Sequence, residues 1–150
     1  MKKEARPRKE GAGTKKYRFI DDLTSDVMFE AYGKTLKALF ENAAEALLSV
    51  ICQIRKVRPR VEREIEMEAD SVGELMFDWL QELIARVDVE DMFFSRFEVT
   101  EISETRLKAR IWGEEADPGK GETVVKALTY YGYKFEKVKD GFRARVAMDI

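Results

Sequence analysis

The hydropathy pattern predicts an α+β fold: two amphipathic helices packed on one face of a mostly antiparallel sheet, in the order β-β-α-β-α-β-β-β-β-β. Three observations carry this. Two stretches, Leu36 to Ile51 and Val72 to Val87, repeat apolar residues at helical spacing. The stretches around them alternate apolar and polar residues with a period of two. From Met92 onward the chain alternates almost throughout and shows turn signals but no helical period.

Taken in order, Tyr17 to Ile20 reads as a short strand. Asp26 to Tyr32 is a second, with Val27, Phe29 and Ala31 facing inward and Gly33 making the turn. Thr35 can cap a helix whose stripe is Leu36, Leu39, Phe40, Ala43, Ala44, Leu47, Leu48 and Ile51, running to about Gln53. Val57 to Ala69 alternates as a long strand. Its second face, with Glu62, Glu64, Glu66 and Glu68, looks like an acidic cluster but reads more simply as a solvated strand face. Ser71-Val72-Gly73-Glu74 is a capping box that opens a second helix, in which Trp79 sits at core spacing. Met92 to Ile102 and Arg106 to Gly113 form a hairpin around Ser103-Glu104-Thr105. Asp117 to Gly121 lacks the spacing and following helix of a phosphate loop and reads as a plain turn. Thr123 to Tyr131 is a strand, and Tyr133 to Val138 and Phe142 to Ile150 form a last hairpin around Asp140-Gly141.

A chain of 150 residues suits one domain. Its charge is uneven. Residues 1–16 hold seven basic residues against two acidic ones, a net +5, while the remainder holds 20 against 27, a net −7. The first stretch has Pro7, Gly11 and Gly13 and no apolar period, so residues 1–16 read as a disordered basic tail and 17–150 as the domain. Such a tail suits contact with RNA phosphates, although a solubilising role is the plainer reading. No apolar run approaches the roughly 20 residues of a spanning helix, and the basic start lacks the apolar core of a signal peptide. The single Cys52 cannot form an internal disulfide and ends an apolar stripe, so it reads as a buried thiol. A reducing cytoplasm, without membrane association, is the expected location.

There is no histidine. That excludes Ser-His triads, HExxH zinc sites and imidazole general bases, and one cysteine excludes a cysteine-rich zinc site. A native metal would have to be held by oxygen, which favours calcium or magnesium. Carboxylates for such a site exist at two places. The run Asp21-Asp22-Leu23-Thr24-Ser25-Asp26 lies near the start, and the strand carrying Phe142, Ala144, Val146 and Met148 on one face ends at Asp149-Ile150. If first and last strands meet, these carboxylates and the terminal one after Ile150 gather at one spot.

Read together, these segments resemble the archease family over essentially Tyr17 to Ile150. Asp22-Leu23-Thr24-Ser25-Asp26, then Val27 to Ala31 and Tyr32-Gly33, is similar to the family's N-terminal signature of Asp-His-Thr-Ala-Asp, strand and Tyr-Gly turn. Phe40 to Ala44 resembles its first helix. Asp88 and Phe94 to Val99 look like its middle, Val125 to Tyr130 its penultimate core strand, and Asp149-Ile150 its ending. Leu23 and Tyr131 stand where the family commonly has histidine, so a role for those imidazoles cannot operate here.

The resemblance implies an accessory protein, not an enzyme: one that activates an RtcB-type RNA ligase in tRNA splicing and RNA repair by promoting the ligase's guanylylation with GTP, so that it turns over repeatedly. It also implies a divalent metal held by Asp26, Asp149 and the terminal carboxylate of Ile150. Lys126 is the activation-critical candidate, since it shares a predicted strand face with Val124 and Leu128 and suits a phosphate or a ligase carboxylate. Two other readings stand beside this one: a chaperone-like modulator of a tRNA methyltransferase, and a small metal-dependent phosphate-ester hydrolase. The second would turn over alone, and the absence of histidine and of a phosphate-cradling loop counts against it.

Overall fold

A computed structural model describes residues 15–20 and 27–150 of the chain. The acidic run at 21–26 and the first 14 residues of the expected tail lie outside the described residues. The elements are β1 (Tyr17–Ile20), β2 (Val27–Gly33), α1 (Leu36–Ile51), β3 (Val61–Glu68), α2 (Val72–Glu90), β4 (Met92–Ile102), β5 (Arg106–Glu115), β6 (Ala127–Val138) and β7 (Gly141–Asp149). The fold class is the expected α+β arrangement of two helices against antiparallel sheet.

Both helix starts follow from their caps. The Thr35 side chain accepts the Ala38 N–H at 3.1 Å, and Ser71 accepts the Glu74 N–H at 3.2 Å. Each satisfies a backbone donor that the first helical turn leaves without a partner. The buried face of α1 is the predicted stripe from Leu39 to Ile51 with Ala46 added, while Leu36 at the first turn is only partly buried. α2 buries Leu75, Met76, Trp79, Leu80, Leu83 and Ile84, together with Phe77. Phe77 lies off the main stripe, and Tyr130 of β6 covers it with a ring stacked at 4.0 Å. The indole N–H of the fully buried Trp79 donates to the Phe40 carbonyl at 3.0 Å, joining the two helices.

The strands divide into two sheets, of order β1-β2-β7-β6 and β3-β5-β4, all pairs antiparallel. α1 packs on β2 and β7 of the first sheet and on β4 of the second; α2 packs on β6 and on β3 and β4. The apolar stripe of α1 is broader than one sheet face can cover, and the second sheet closes it. One core results, with Phe29, Phe40, Leu47, Trp79, Phe94 and Leu107 among its fully buried side chains.

The two strands expected over 123–131 and 133–138 are one strand, β6. Its register against β7 shifts between Thr129↔Ala147 and Lys134↔Arg145, so Tyr130 to Tyr133 stand against Val146 alone. This is a large bulge, held by Phe77 beneath Tyr130 and by the Tyr133 hydroxyl donating to the Gly73 carbonyl. The strand expected from Val57 forms its ladder from Val61, because Ile54–Lys56 is a 3₁₀ turn and Pro59 breaks the approach. The glutamates of β3 face solvent opposite cations: Glu66 pairs with Arg106 at 2.7 Å and Glu62 with Arg110 at 3.5 Å. Cys52 is buried, and desolvation, reinforced by Glu122, pushes its thiol up to about 12, so it is not a nucleophile at neutral pH. No helix among the described residues is long and apolar enough to cross a membrane.

Candidate functional site

The first and last strands do not pair: β2 lies between them and itself pairs with β7. Ile20 pairs with Met28, Val27 with Met148, and Asp149 with Ala127. The end of β1, the start of β2, the end of β7 and the start of β6 therefore share one end of the four-stranded sheet. Residues 21–26 connect β1 to β2 in the sequence, so Asp26 directly precedes Val27, whose partner Met148 precedes Asp149. Asp26 itself lies outside the described residues.

Asp149 and Ile150 are exposed at this end. The Asp149 carbonyl accepts the Lys126 N–H at 2.8 Å, which brings the backbone of Lys126 beside it. Among the described residues the Asp149 carboxylate has no cationic partner, in contrast to Glu30, Glu114 and Glu136, which do. Among the described residues no group of three metal-ligating side chains gathers. What this end offers is hard oxygen donors, the class that calcium and magnesium take.

The surroundings of Lys126 differ from expectation. The sequence places it on one strand face with Val124 and Leu128. Instead Val125 and Leu128 are buried while Val124 and Lys126 are exposed. The reason is that β6 begins only at Ala127, and the segment before it serves another element. Glu122 and Thr123 donate their N–H groups to the Ile51 and Val50 carbonyls at 2.9 and 3.1 Å. The Gln53 N–H donates to the Lys120 carbonyl at 2.8 Å. The stretch therefore satisfies carbonyls that the end of α1 leaves open. Lys126 is a solvent-facing cation beside Asp149, not a lysine embedded in a strand face.

Two further features had no clear signal in the sequence. One is a cleft of about 560 Å³ between the ends of the helices and the 121–125 segment, with Asp88, Asp91 and Glu122 on its rim. The other is Glu30, the buried charged residue on the outer face of the first sheet, at 5% exposure. Its carboxylate pairs with Arg18 at 3.0 Å and Arg145 at 3.2 Å and accepts the Tyr32 O–H at 2.9 Å. Burial alone would raise its pKa. The hydrogen bond from Tyr32 and the two guanidinium groups outweigh that and hold it below the usual carboxylate value.

A group whose folded pKa is depressed contributes stability that is present above its unfolded pKa and is lost as pH falls through the folded one. Glu30→Gln is therefore expected to cost about 1–2 kcal/mol at neutral pH, a net value kept modest by the half-exposed arginines. The gap to the parent should close as pH falls below about 4, the ordinary carboxylate range. Urea midpoints of both proteins from pH 7 to pH 3 check this, and a gap that stays constant to pH 3 contradicts it.

Comparison with known proteins adds what geometry alone does not. The model of the archease protein family (MTH1598/TM1083) matches residues 17–150. A protein archease from Methanosarcina acetivorans is 39% identical over 142 residues, covering 91% of this chain and 97% of that protein. Another from Sulfurisphaera tokodaii is 36% identical over 138 residues, covering 90% and 99%. The solution structure of Methanobacterium thermoautotrophicum protein 1598 superposes with a TM-score of 0.78 at 33% identity, covering 89% of this chain and 98% of that one. A Thermotoga maritima archease, described as a possible chaperone, shares the fold with a TM-score of 0.64 at 23% identity, covering 89% and 97%.

Proposed function

The chain belongs to the archease family, and on that premise we propose that it is a metal-binding accessory protein that activates an RtcB-type RNA ligase. In this reading it promotes the ligase's guanylylation by GTP, so that each ligase molecule joins many RNA ends in tRNA splicing or repair, and it catalyses no ligation itself. Cytoplasmic action, with tRNA or other RNA reached in part through the basic residues 1–16, completes the proposal.

The observation that carries it is the convergence at one end of the sheet. The chain enters β2 from Asp26, β7 ends at Asp149, and Lys126 is bound backbone to backbone beside Asp149. Asp26, Asp149 and the carboxylate after Ile150 would hold a divalent ion, calcium or magnesium. When bound, that ion would offset two of the three carboxylate charges that otherwise repel one another, leaving the site with a net charge of −1. Lys126 adds a mobile point charge on the same side. Its ammonium is free among the described residues to reach a phosphate or a carboxylate of the ligase.

The test is RNA ligation with the cognate ligase at a small fraction of the RNA concentration, with GTP, and with or without this protein. The expected result is one round or fewer without it and many rounds with it. Equal turnover in both arms overturns the proposal. Lys126→Ala should lose most of the activation, about tenfold or more in turnover, while its circular dichroism spectrum and melting temperature stay at parental values. The side chain is exposed, and surface truncations usually cost under about 0.5 kcal/mol. A folded Lys126→Ala protein that activates fully removes Lys126 from the site.

A further inference from the structure

The opposite end of the four-stranded sheet holds a cleft of about 630 Å³. Three separate chain segments wall it: Lys15 and Lys16 ahead of β1, Lys34 in the β2–α1 turn, and Lys139 with Asp140 in the β6–β7 turn. The Tyr32 N–H donates to the Lys16 carbonyl at 2.9 Å, which fixes the first segment along the end of β2. The two turns touch through backbone. A Cβ on Gly141, at φ +142°, would lie 2.2 Å from the Gly33 carbonyl oxygen and 2.8 Å from the Lys34 Cα, and one on Gly33 would lie 2.3 Å from the Leu39 nitrogen. Only a glycine at 141 allows this approach of the two turns, which sets Lys34 and Lys139 on one cleft.

The charge here runs against the rest of the domain. Residues 17–150 carry a net −7, yet they bring Lys34 and Lys139 to this cleft against Asp140 alone, and Lys15 and Lys16 join from the segment ahead of them. Lys16 is matched by Glu45 at 3.1 Å. Lys15, Lys34 and Lys139 have no ion pair among the described residues, whereas Arg18, Arg86, Arg106, Arg143 and Arg145 are all paired. Between the lysines the wall is apolar, formed by Val138, Ala38 and the half-buried Phe142 ring. Lysines without ion pairs among the described residues, set around an apolar wall, match a phosphate linked to a base and sugar. The ammonium groups neutralise phosphates and the wall takes the face of the base.

We propose that this cleft binds the phosphate-bearing nucleotides of a single-stranded nucleic acid, with Lys34 and Lys139 on the phosphates and Phe142 against a base. β2 is seven residues long, so the cleft lies roughly 20 Å from the Asp149 end at the rise of a strand. A strand held here leaves the acidic end free for a protein partner. The proposal does not rest on the ligase reading, because binding is measured without any ligase.

The experiment uses the full chain and a fluorescein-labelled 12-nucleotide RNA, followed by fluorescence anisotropy between 50 and 300 mM salt. Lys34→Glu/Lys139→Glu should weaken binding at least tenfold and flatten the salt dependence by about 1.4 in log K against log salt, the share of two phosphate contacts on a single strand. Lys34→Gln/Lys139→Gln should weaken it less, in the same direction. Lys56→Glu/Lys108→Glu changes net charge equally at other sites and should retain affinity within about twofold. Melting curves confirm that each variant folds. Competition by ATP distinguishes the source of the shared chemistry: displacement at micromolar ATP assigns the cleft to free nucleotides, and none at millimolar ATP assigns it to the strand. No binding of either probe by the parent at 50 mM salt, or equal losses in the cleft and control variants, overturns the site.

Discussion

Asp149→Ala is expected to lower divalent-metal affinity by about tenfold or more and to abolish ligase activation, while leaving the fold intact. Oxygen-ligated sites for hard cations respond steeply to the number of anionic ligands, and this change removes one of the three proposed. The side chain is exposed at the last residue of β7, and its backbone bond to Lys126 does not depend on the carboxylate. The melting temperature in the absence of metal should therefore stay within about two degrees. A second alteration reads the same site from the chain end. Adding residues after Ile150 converts its terminal carboxylate into an amide carbonyl and reduces the anionic charge of the site by one. A C-terminal extension should weaken metal binding and activation, the same extension ahead of Met1 should do neither, and Ile150→Ala should be mild because it keeps the carboxylate. Calorimetric titration with calcium and magnesium decides. If Asp149→Ala and the extended protein bind metal as tightly as the parent, this end of the sheet is not the metal site.

Trp79→Ala should produce the largest loss of stability in the molecule. The indole is fully buried where α2 meets α1, and its N–H satisfies the Phe40 carbonyl across the helix pair. Truncating a buried tryptophan removes its transfer free energy and leaves a cavity, about 3–5 kcal/mol together. Domains of this size have about 5–15 kcal/mol in total, so about a fifth or more of the stability should vanish, with a drop in melting temperature of about 6–20 °C. Trp79→Phe keeps most of the ring volume and loses the hydrogen bond, and should cost about 1–2 kcal/mol. Scanning calorimetry of the three proteins checks both. An alanine variant melting within a degree or two of the parent would mean that the indole does not hold the helices together.

Several elements could be read from the sequence because their causes are local. Thr35 and Ser71 cap their helices through contacts three residues away, and the stripes from Leu39 to Ile51 and from Leu75 to Ile84 repeat within a few turns. The burial of Cys52 and Trp79 and the solvated glutamate face of β3 follow from the same periodicities. The carboxylates of the proposed site stand out in the sequence, as the acidic run and Asp149-Ile150 at two chain positions, and the structure adds the pairing of β2 with β7.

Other features lay beyond any local reading. Lys126 was misplaced because a period-two pattern cannot tell a paired strand from an extended segment, and residues 121–123 are recruited by the carbonyls of α1. The break expected at Tyr131-Gly132-Tyr133 is a bulge instead, because Phe77 and Gly73 of α2 offer it partners. The Glu30 cluster depends on a contact between residues 115 positions apart, and the lysine cleft on two turns that meet only in the folded chain.

By itself, then, the sequence determined the helices, the alternation of the strands, the absence of imidazole chemistry and that any bound metal would have to take oxygen ligands. These rest on residue type and on spacings shorter than a few turns. The tertiary structure alone decided the division into two sheets, the register that sets Val27 against Met148 and Lys126 beside Asp149, and the burial of Glu30. The physical reason is that strand pairing is a contest among distant segments for the same backbone donors and acceptors, and its outcome depends on which arrangement buries both helices at once.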